Sequence, residues 1–464
     1  MRLKSVYTIL GKKTSGLGDK AKKLDRMPDR GLNLAAGCTM INNMLQKRWA
    51  RGEDEAQMNS GRERIKALQA LRAMAFLGIF FAHADFFVSW SSLGVSVFCV
   101  MSGFLMMYNY EGVGEPMPVR GRLRFSVNKI KKLYPLHIVT MVFAVLLTLA
   151  LMLWHGDGMR AYARLAGETV LHVLLLQTWV PHASVSVSLN GVSWYLSAAL
   201  FLYFVFPCVA PWIRRRSNKL LAVLCAAMLG AQIAACIPFL YLAGESSFVY
   251  IWFMYFFPVF RLGDFFVGCC LGKAYGDSAA GGKIAKGMGN GECSPGGAGC
   301  RLGSGGTGPG GRLSLGYSLA EIAATALTVV VCLWLKQGHS SGILLAAFRN
   351  WTTLYIPLAA AWVYLFAANR GIITVILNNK LLVSLGNISG YVFLIHYVVV
   401  LYVNNMLNFF DIEVSGWPRT GLAMLELAVS VIASLLYIRI EEAVRSRMRR
   451  KRAERGEACK EDIG

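Results

Sequence analysis

The sequence predicts an all-α fold, a polytopic membrane helix bundle of about ten transmembrane helices with one short re-entrant or interfacial segment. Hydrophobic residues make up 55% of the 464 residues and charged residues only 16%, so the chain is more apolar and less charged than soluble proteins. The apolar residues are gathered into runs of spanning length, and the basic residues lie mainly between these runs. Both features are typical of proteins that cross a bilayer many times.

Residues 1–66 are polar and basic, and they contain no apolar stretch long enough for a signal peptide. We expect a basic cytoplasmic N-terminal extension that is disordered in part, with residues 40–49 as a candidate for an amphipathic piece on the membrane surface. Since Met58 stands just before the first apolar run, we predict that residues 1–57 have no catalytic role.

The apolar runs define a transmembrane domain at residues 67–440. One run, residues 168–180, is too short to span. If it did span, Arg214, Arg215 and Arg216 would lie on the opposite side from the other basic loops, so the positive-inside rule favours a re-entrant or interfacial segment with both termini cytoplasmic. The runs are 68–89, 93–110, 133–154, 168–180, 192–213, 219–242, 249–275, 315–336, 343–368, 381–403 and 419–439.

Two further regions are expected on the cytoplasmic side. Residues 276–314 are rich in glycine and should form a flexible loop that buries no core. A GxGxxG match at residues 303–308 falls in this loop without the preceding strand that a nucleotide-binding turn requires, so we attribute it to chance. Residues 441–464 form a basic tail that we expect to contact anionic lipid headgroups.

The charge and cysteine content restrict the partners. A net charge of +22 would favour nucleic acid as the partner of a soluble chain, but positive-inside loops account for it here. We therefore predict the lipid bilayer, and no nucleic acid, as a partner. The 11 cysteines form no CxxC pair and no Cys/His cluster of zinc spacing, so we predict no metal site.

The first apolar run contains Arg72 and His83, residue types that are costly in hydrocarbon and usually face protein or water there. In an α-helix their spacing places them about 20° apart around the axis and about 16 Å apart along it. If Arg72 lies near one interface, His83 lies near the bilayer midplane on the same face. We take both as candidate catalytic residues.

Four other polar residues lie inside the runs. Asp85 is about 200° from His83 around a helix, so a regular helix would not let it orient that imidazole. Arg261 and Asp264 can form an ion pair at positions i and i+3, for which we favour a structural role. For His396, in the middle of an apolar run, both a packing role and a site role stay open.

Lys129 and Lys132 are candidates for binding a phosphorylated ligand. Their spacing of three residues places them on one face at the start of the third helix. Basic residues at that place also satisfy the positive-inside rule, so the spacing leaves both interpretations open.

Six blocks of this sequence together resemble the bacterial membrane-bound acyltransferase 3 family, over roughly residues 66–440. The first is Arg72 with His83, followed by GVSVFCVMSGFLM and by a basic cluster that leads into LYPLHI. The later blocks are WYLSAALFLYFVFP, YFFPVFRLGDFFVGCCLG and LGNISGYVFLIHYVV.

The resemblance implies transfer of an acyl group, expected to be acetyl, from cytoplasmic acyl-CoA to a hydroxyl of a cell-envelope polysaccharide or glycolipid precursor. It implies a bacterial cytoplasmic (inner) membrane location, acyl-CoA as co-substrate and no bound cofactor. Lysine in place of the family's usual arginine pair keeps the charge but loses the bidentate fork. The matching residues are His83 (essential histidine), Arg72 (aligned arginine), Lys129 and Lys132 (basic pair), Ser102, Gly103 and Phe104 (SGF turn) and Trp194 (a later block).

We expect His83 to act as the general base that takes the proton of the acceptor hydroxyl, a task that suits a neutral imidazole. An acyl-histidine relay stays open as a variant. A rival function is a transporter or flippase of an envelope glycan precursor, in which the intramembrane polar residues form a path without acyl chemistry. A glycan ligase or polymerase is a second rival, although the longest external segment, 155–191, holds only Arg160 and Arg164 as basic residues.

Overall fold

The computed structural model describes residues 65–84, 88–110, 117–288, 313–336, 342–349 and 351–461. One compact unit contains residues 64–108 and 113–464, and the other unit, residues 1–63 with 109–112, lies almost wholly outside the described residues. The predictions for the N-terminal extension, for Asp85 and for most of the glycine-rich loop therefore concern residues outside the described part of the chain.

Every regular element among the described residues is a helix, so the predicted all-α fold is confirmed. We number the helices in chain order as α1 (Ala67–His83), α2 (Val88–Asn109), α3 (Val119–Ile130), α4 (Tyr134–His155), α5 (Met159–Val173), α6 (Ala183–Ser186), α7 (Trp194–Arg214), α8 (Asn218–Ala243), α9 (Phe248–Ile251), α10 (Leu262–Met288), α11 (Leu315–Lys336), α12 (Ile343–Phe348), α13 (Trp351–Ala368), α14 (Ile372–Leu377), α15 (Lys380–Phe409) and α16 (Gly416–Glu461).

Within the described chain, 8 segments are long and apolar enough to cross a membrane. They lie in α2, α4, α7, α8, α11, α12 with α13, α15 and α16. Helix α1 is apolar too, but its 17 residues are fewer than the roughly 20 that a span needs. These are the helices of a multi-pass membrane protein.

The predicted span 249–275 is not one continuous helix. Helix α9 is followed by a π-helical turn at Trp252–Phe256, and the backbone of Phe257 is extended, with φ −66° and ψ 122°. Pro258 explains the break, because the residue before a proline is driven out of the helical region. Helix α10 begins only at Leu262.

The predicted span 68–89 is also interrupted, since α1 ends at His83 and α2 begins at Val88. His83 therefore stands in the last turn of α1 and not inside a longer helix.

The run 168–180 forms no spanning helix, in agreement with its exclusion from the spans. Helix α5 ends at Val173, and residues 174–193 contain only the short α6 and single helical turns at Gln177–Trp179 and Gly191–Ser193. Helix α5 returns along α4, since the Tyr134 hydroxyl at the start of α4 donates to the backbone oxygen of Val173 at 2.9 Å and Leu175 packs with Ile130.

Helices α1 and α15 approach each other closely. A Cβ atom on Gly386 would collide with the backbone oxygen of Gln69, so only glycine lets the two backbones meet at this level. A similar contact joins α2 and α10, where a Cβ on Gly103 would collide with the backbone oxygen of Phe265. Both contacts follow the small-residue rule for helices packed in membranes.

We predict that Gly386→Ala destabilises the protein by about 1–3 kcal/mol, because the added methyl group overpacks the contact between α1 and α15. Thermal unfolding of the purified protein in detergent measures the effect as a lower midpoint. Gly230→Ala on α8 is the matched control, since a Cβ there meets no atom within 4 Å. Equal midpoints for the two variants would contradict the close contact.

Candidate active site

The structure brings together two histidines that are far apart in the sequence. The ring centroids of His83, at the end of α1, and His396, in the middle of α15, lie 5.5 Å apart. His396 is fully buried and contacts the rings of Phe76 and Phe80 at 5.6 and 5.9 Å. His83 is half-buried and meets the ring of Tyr397 at 5.4 Å. The two imidazoles therefore share one pocket with aromatic walls.

The hydrogen bonds of His396 fix its tautomer. Its Nδ1 lies 3.2 Å from the carbonyl oxygen of Val392, and a carbonyl oxygen only accepts, so Nδ1 carries the proton in the neutral ring. Its Nε2 is buried and has no hydrogen-bond partner among the described residues. The pocket thus contains a nitrogen lone pair that is able to accept a proton or a hydrogen bond.

The histidine pair lies deep in the bundle. His83 stands 16 residues after the start of α1 and His396 stands 16 residues after the start of α15, a rise of about 24 Å in each helix. The contact between Gly386 and Gln69 near the starts of these helices shows that they run in the same direction. Both histidines are consequently at the same level.

Arg72 lies on α1 below the histidine pair. Its Nη1 donates to Oε1 of Gln69 at 3.2 Å, and it interacts electrostatically with Tyr195 and Tyr203 of α7. Since α1 is continuous from Ala67, the predicted alignment with His83 holds, and the rise of the helix separates the two by about 16 Å. Arg72 is therefore not part of the pocket around His83.

The SGF residues divide into one polar contact and two packing positions. The Ser102 hydroxyl lies 3.2 Å from the Tyr195 hydroxyl. Gly103 permits the close backbone contact with Phe265, and Phe104 is fully buried in the core. The glycine and phenylalanine thus hold α2 against α10, and only Ser102 adds a polar group.

Arg261 and Asp264 form the predicted ion pair, with 3.3 Å between Nη2 and Oδ1 and with both side chains fully buried. Nη2 of Arg261 also donates to Oγ of Ser96 at 3.4 Å, and the guanidinium lies 5.7 Å from the ring centroid of Tyr255. The Trp194 ring packs on Tyr255 at 5.0 Å. These contacts join α2, α7 and the start of α10 across the helix break, which supports the structural role favoured from the sequence.

The sequence predicted that Lys129 and Lys132 lie on one face at the start of the third helix, and this prediction is wrong. Pro135 fits only the first turn of a helix, so α4 begins at Tyr134 and Lys129 belongs to the separate helix α3. Lys129 Nζ lies 5.1 Å from the Phe125 ring, and Lys132 Nζ lies 5.4 Å from the Tyr391 ring. The two ammonium groups therefore contact different helices.

Most basic residues between the helices share one end of the bundle, which we call the basic end and define by Lys132, Arg214, Lys273, Arg370 and Lys380. Arg214 reaches the carbonyl oxygen of Met107 at 3.2 Å. At the same end, the backbone N–H of Ser314 donates to the carbonyl oxygen of Arg370 at 3.0 Å. Clustered positive charge makes this end the natural place for a phosphorylated ligand.

Sequence reasoning missed two residues near Lys132 at the basic end, Tyr391 and Glu441. The Tyr391 hydroxyl donates to Oε2 of Glu441 at 3.0 Å, and Glu441 forms an ion pair with Arg445. The block that contains His396 also contains Tyr391, but nothing in the sequence links it to Glu441 on α16. Packing of α15 on α16 makes that link.

The first turn of α4 contacts a buried polar cluster that sequence reasoning also missed. His172 Nε2 lies 3.0 Å from the carbonyl oxygen of Val185, and Nδ1 lies 3.4 Å from Oγ of Ser193. Burial lowers the pKa of His172 to about 4, so its ring is neutral near pH 7. His137 Nε2 donates to the backbone oxygen of His172 at 3.0 Å. The positions of His137 and His172 within apolar runs were the signal in the sequence that could have indicated this cluster.

Comparisons with known proteins agree with the sequence blocks. Residues 65–439 match the family model for the acyltransferase domain of the acyltransferase 3 type. The chain is 27% identical over 228 residues to the acyltransferase MdmB of Streptomyces mycarofaciens, a match that covers 44% of this chain and 56% of that protein. The match thus spans little more than half the length of this curated relative. No solved structure matches the chain.

We predict that Arg261→Met destabilises the protein by about 3–5 kcal/mol, because it leaves the Asp264 carboxylate buried and unpaired. The double variant with Asp264→Leu loses less, since no isolated charge remains. Unfolding in detergent measures both. Lys273→Met is the control, because it breaks an ion pair whose carboxylate is 51% exposed and costs less than about 1 kcal/mol. A double variant as unstable as the sum of its single variants would contradict the structural role.

Proposed function

This chain belongs to the acyltransferase 3 family, whose domain covers residues 65–439, and we propose from this membership that it is an integral membrane O-acyltransferase. It moves an acyl group, expected to be acetyl, from cytoplasmic acyl-CoA to a hydroxyl of a cell-surface polysaccharide or glycolipid precursor. It acts in the bacterial cytoplasmic membrane with both termini in the cytoplasm. The family match favours this function over a transporter or flippase.

The observation that carries the proposal is the contact between His83 and His396. Two imidazoles lie 5.5 Å apart, about 24 Å above the starts of their helices. Structural histidines in cores are usually satisfied by hydrogen bonds, whereas Nε2 of His396 is buried without a partner among the described residues. An unoccupied proton acceptor of this kind suits acyl transfer to a hydroxyl.

We assign the general base to His83, which is half-buried and so the more accessible of the pair. Its neutral ring takes the hydroxyl proton while the hydroxyl oxygen attacks the thioester carbonyl carbon. The carbon–sulfur bond then breaks, and the protonated ring returns its proton to the sulfur as free CoA leaves. General base catalysis of this type contributes about 100- to 10,000-fold. In the relay variant, a histidine nitrogen carries the acyl group between the two substrates.

The donor binds at the basic end. The phosphates of acyl-CoA are polyanionic, and Lys132 is exposed there, with Lys129 and Arg72 as further cations. Lysine binds phosphate as a point charge. Arg72 lies between this end and His83 along α1, so the acyl arm of the donor would follow α1 from the phosphates to the histidine pair. The acceptor then approaches from the opposite end, so that the two substrates do not compete for one entrance.

We predict that membranes containing the intact protein transfer radiolabel from acetyl-CoA to the polysaccharide and glycolipid fraction, and that His83→Ala at equal abundance lowers the rate by at least about 100-fold. His155→Ala is the matched control, since His155 is exposed at the end of α4 and retains the full rate. Equal labelling with intact protein and His83→Ala would remove His83 from the mechanism. Absence of labelling with the intact protein and several acyl-CoA donors would overturn the proposed function.

We predict that Lys132→Ala raises the KM for acetyl-CoA by about tenfold, the equivalent of about 1.4 kcal/mol, and leaves kcat nearly unchanged. The lost group binds phosphate in the ground state and in the transition state alike, which is the pattern of uniform binding. Arg160→Ala, exposed at the start of α5, serves as the control and keeps the original KM. A lower kcat without a change in KM would contradict a phosphate contact.

A further inference from the structure

Residues 174–193, which we call the 174–193 segment, bury an unusual number of polar side chains for a connection between helices. Gln177, Thr178, Ser186, Asn190 and Ser193 are all fully buried. Burial of a polar group costs free energy unless a hydrogen bond replaces the lost water. The partners of these groups therefore indicate whether the segment is only a structural connection.

Most of the groups are satisfied by neighbours. The Thr178 hydroxyl lies 2.6 Å from Oγ of Ser197, and the backbone oxygen of Thr178 accepts from Nε1 of Trp252 at 2.8 Å. The Ser186 hydroxyl donates to the backbone oxygen of Val180 at 2.5 Å. These bonds fix the segment to α7 and to the π-helical turn, and they need no ligand.

Asn190 is not fully satisfied. Its Nδ2 donates to the carbonyl oxygen of Leu394 at 2.9 Å and to Oγ1 of Thr140 at 2.8 Å. Because a carbonyl oxygen only accepts, the first of these bonds fixes the orientation of the amide. The remaining Oδ1 is a buried acceptor that has no partner among the described residues.

A chain of bonds fixes Gln177 in the same way. His172 donates from Nε2 to the carbonyl oxygen of Val185, so its Nδ1 accepts from the Ser193 hydroxyl. The Ser193 oxygen in turn accepts from Nε2 of Gln177 at 3.3 Å. Oε1 of Gln177 is then a second buried acceptor without a partner in the described chain.

His137 supplies a third acceptor. Its Nε2 donates to the backbone oxygen of His172, which leaves the lone pair of the neutral ring on Nδ1, buried and unpartnered among the described residues. Each unpaired buried group of this kind costs about 1–3 kcal/mol. All three atoms are acceptors, so the missing partner is a group with several hydrogen-bond donors and no need for charge, as in a polyol.

The 174–193 segment contacts the helical turn that bears the histidine pair. Asn190 bonds to the backbone of Leu394, two residues before His396. A Cβ on Gly191 would stand 2.7 Å from the Tyr397 hydroxyl, and the Tyr397 ring contacts His83 at 5.4 Å. The segment thus contacts the part of α15 that carries His396.

We propose that the 174–193 segment, together with His137, is the binding site for the hydroxyl groups of a carbohydrate acceptor. The inference rests on the proposed function, which requires that the hydroxyl of an acceptor is held beside His83. In the conformation described, the three acceptor atoms are closed off and unpaired. Outward movement of the segment admits the sugar, whose hydroxyls donate to Oε1 of Gln177, Oδ1 of Asn190 and Nδ1 of His137 while one hydroxyl faces His83.

The test uses the full-length protein in detergent, with acetyl-CoA and alkali-deacetylated envelope polysaccharide from the producing strain as substrates. Gln177→Met keeps the volume of the side chain and removes its acceptor. We expect the KM for the polysaccharide to rise at least tenfold, with the KM for acetyl-CoA and the rate of acetyl-CoA hydrolysis by water unchanged. Ser278→Ala, exposed on α10, should change none of these values.

Two results would overturn the inference. The first is an unchanged KM for the polysaccharide. The second is a rise in both KM values together with a lower rate of hydrolysis and a lower thermal midpoint. This result would show that Gln177 only maintains the fold, with water as its partner in the folded protein.

A binding measurement separates this inference from the proposed function. Trp252 lies against the segment through its bond to Thr178, so its fluorescence should change saturably on titration with the same polysaccharide. If the intact protein transfers no acetyl group but shows this change, and Gln177→Met lowers the affinity at least tenfold, the carbohydrate site stands and the acyltransferase activity fails. If acetyl transfer occurs but the fluorescence shows no saturable change, or if Gln177→Met binds the polysaccharide with the affinity of the intact protein, only the carbohydrate site is overturned.

Discussion

The close contact between α1 and α15 determines where the candidate catalytic groups lie. Gly386 lets the backbone of α15 meet that of Gln69, and from this contact the two helices continue for about 15 to 21 Å to His396 and His83. A larger residue at the contact would separate the helices and with them the two imidazoles. The geometry of the pocket therefore depends on a packing contact far from it.

The buried polar groups of the bundle differ in the partners that they contact. Arg261 and Asp264 neutralise each other within a fully buried pair, and this pair holds three helices at the break before α10. His396 has an acceptor atom with no donor among the described residues, and so has Asn190. A membrane interior penalises unsatisfied polar groups, so their retention here points to ligands that complete them. The Arg261–Asp264 pair thus has a structural role, and the histidine pair carries the proposed chemistry.

The sequence predicted the helices better than their interruptions and contacts. Bilayer thickness fixes the length of a span, so apolar runs located nearly every long helix. Pro258 was a local signal for the break at Phe257 that run length alone hides, and Pro135 likewise separates Lys129 from α4. The contact of His83 with His396 joins positions more than 300 residues apart, and no local pattern encodes it. Helical spacing did predict the Arg261–Asp264 pair, because that contact is local.

The central claim is that the acyl group reaches the pair formed by His83 and His396. A cryo-EM structure of the protein with acetonyl-CoA, a ketone analogue of acetyl-CoA that lacks the scissile bond, tests it most directly. The account predicts phosphate density at the basic end beside Lys132 and the ketone carbon within about 6 Å of the His83 ring, which leaves room for one acceptor hydroxyl between them. A ketone group bound beside Arg261 and Asp264, or at the surface away from α1, would contradict it.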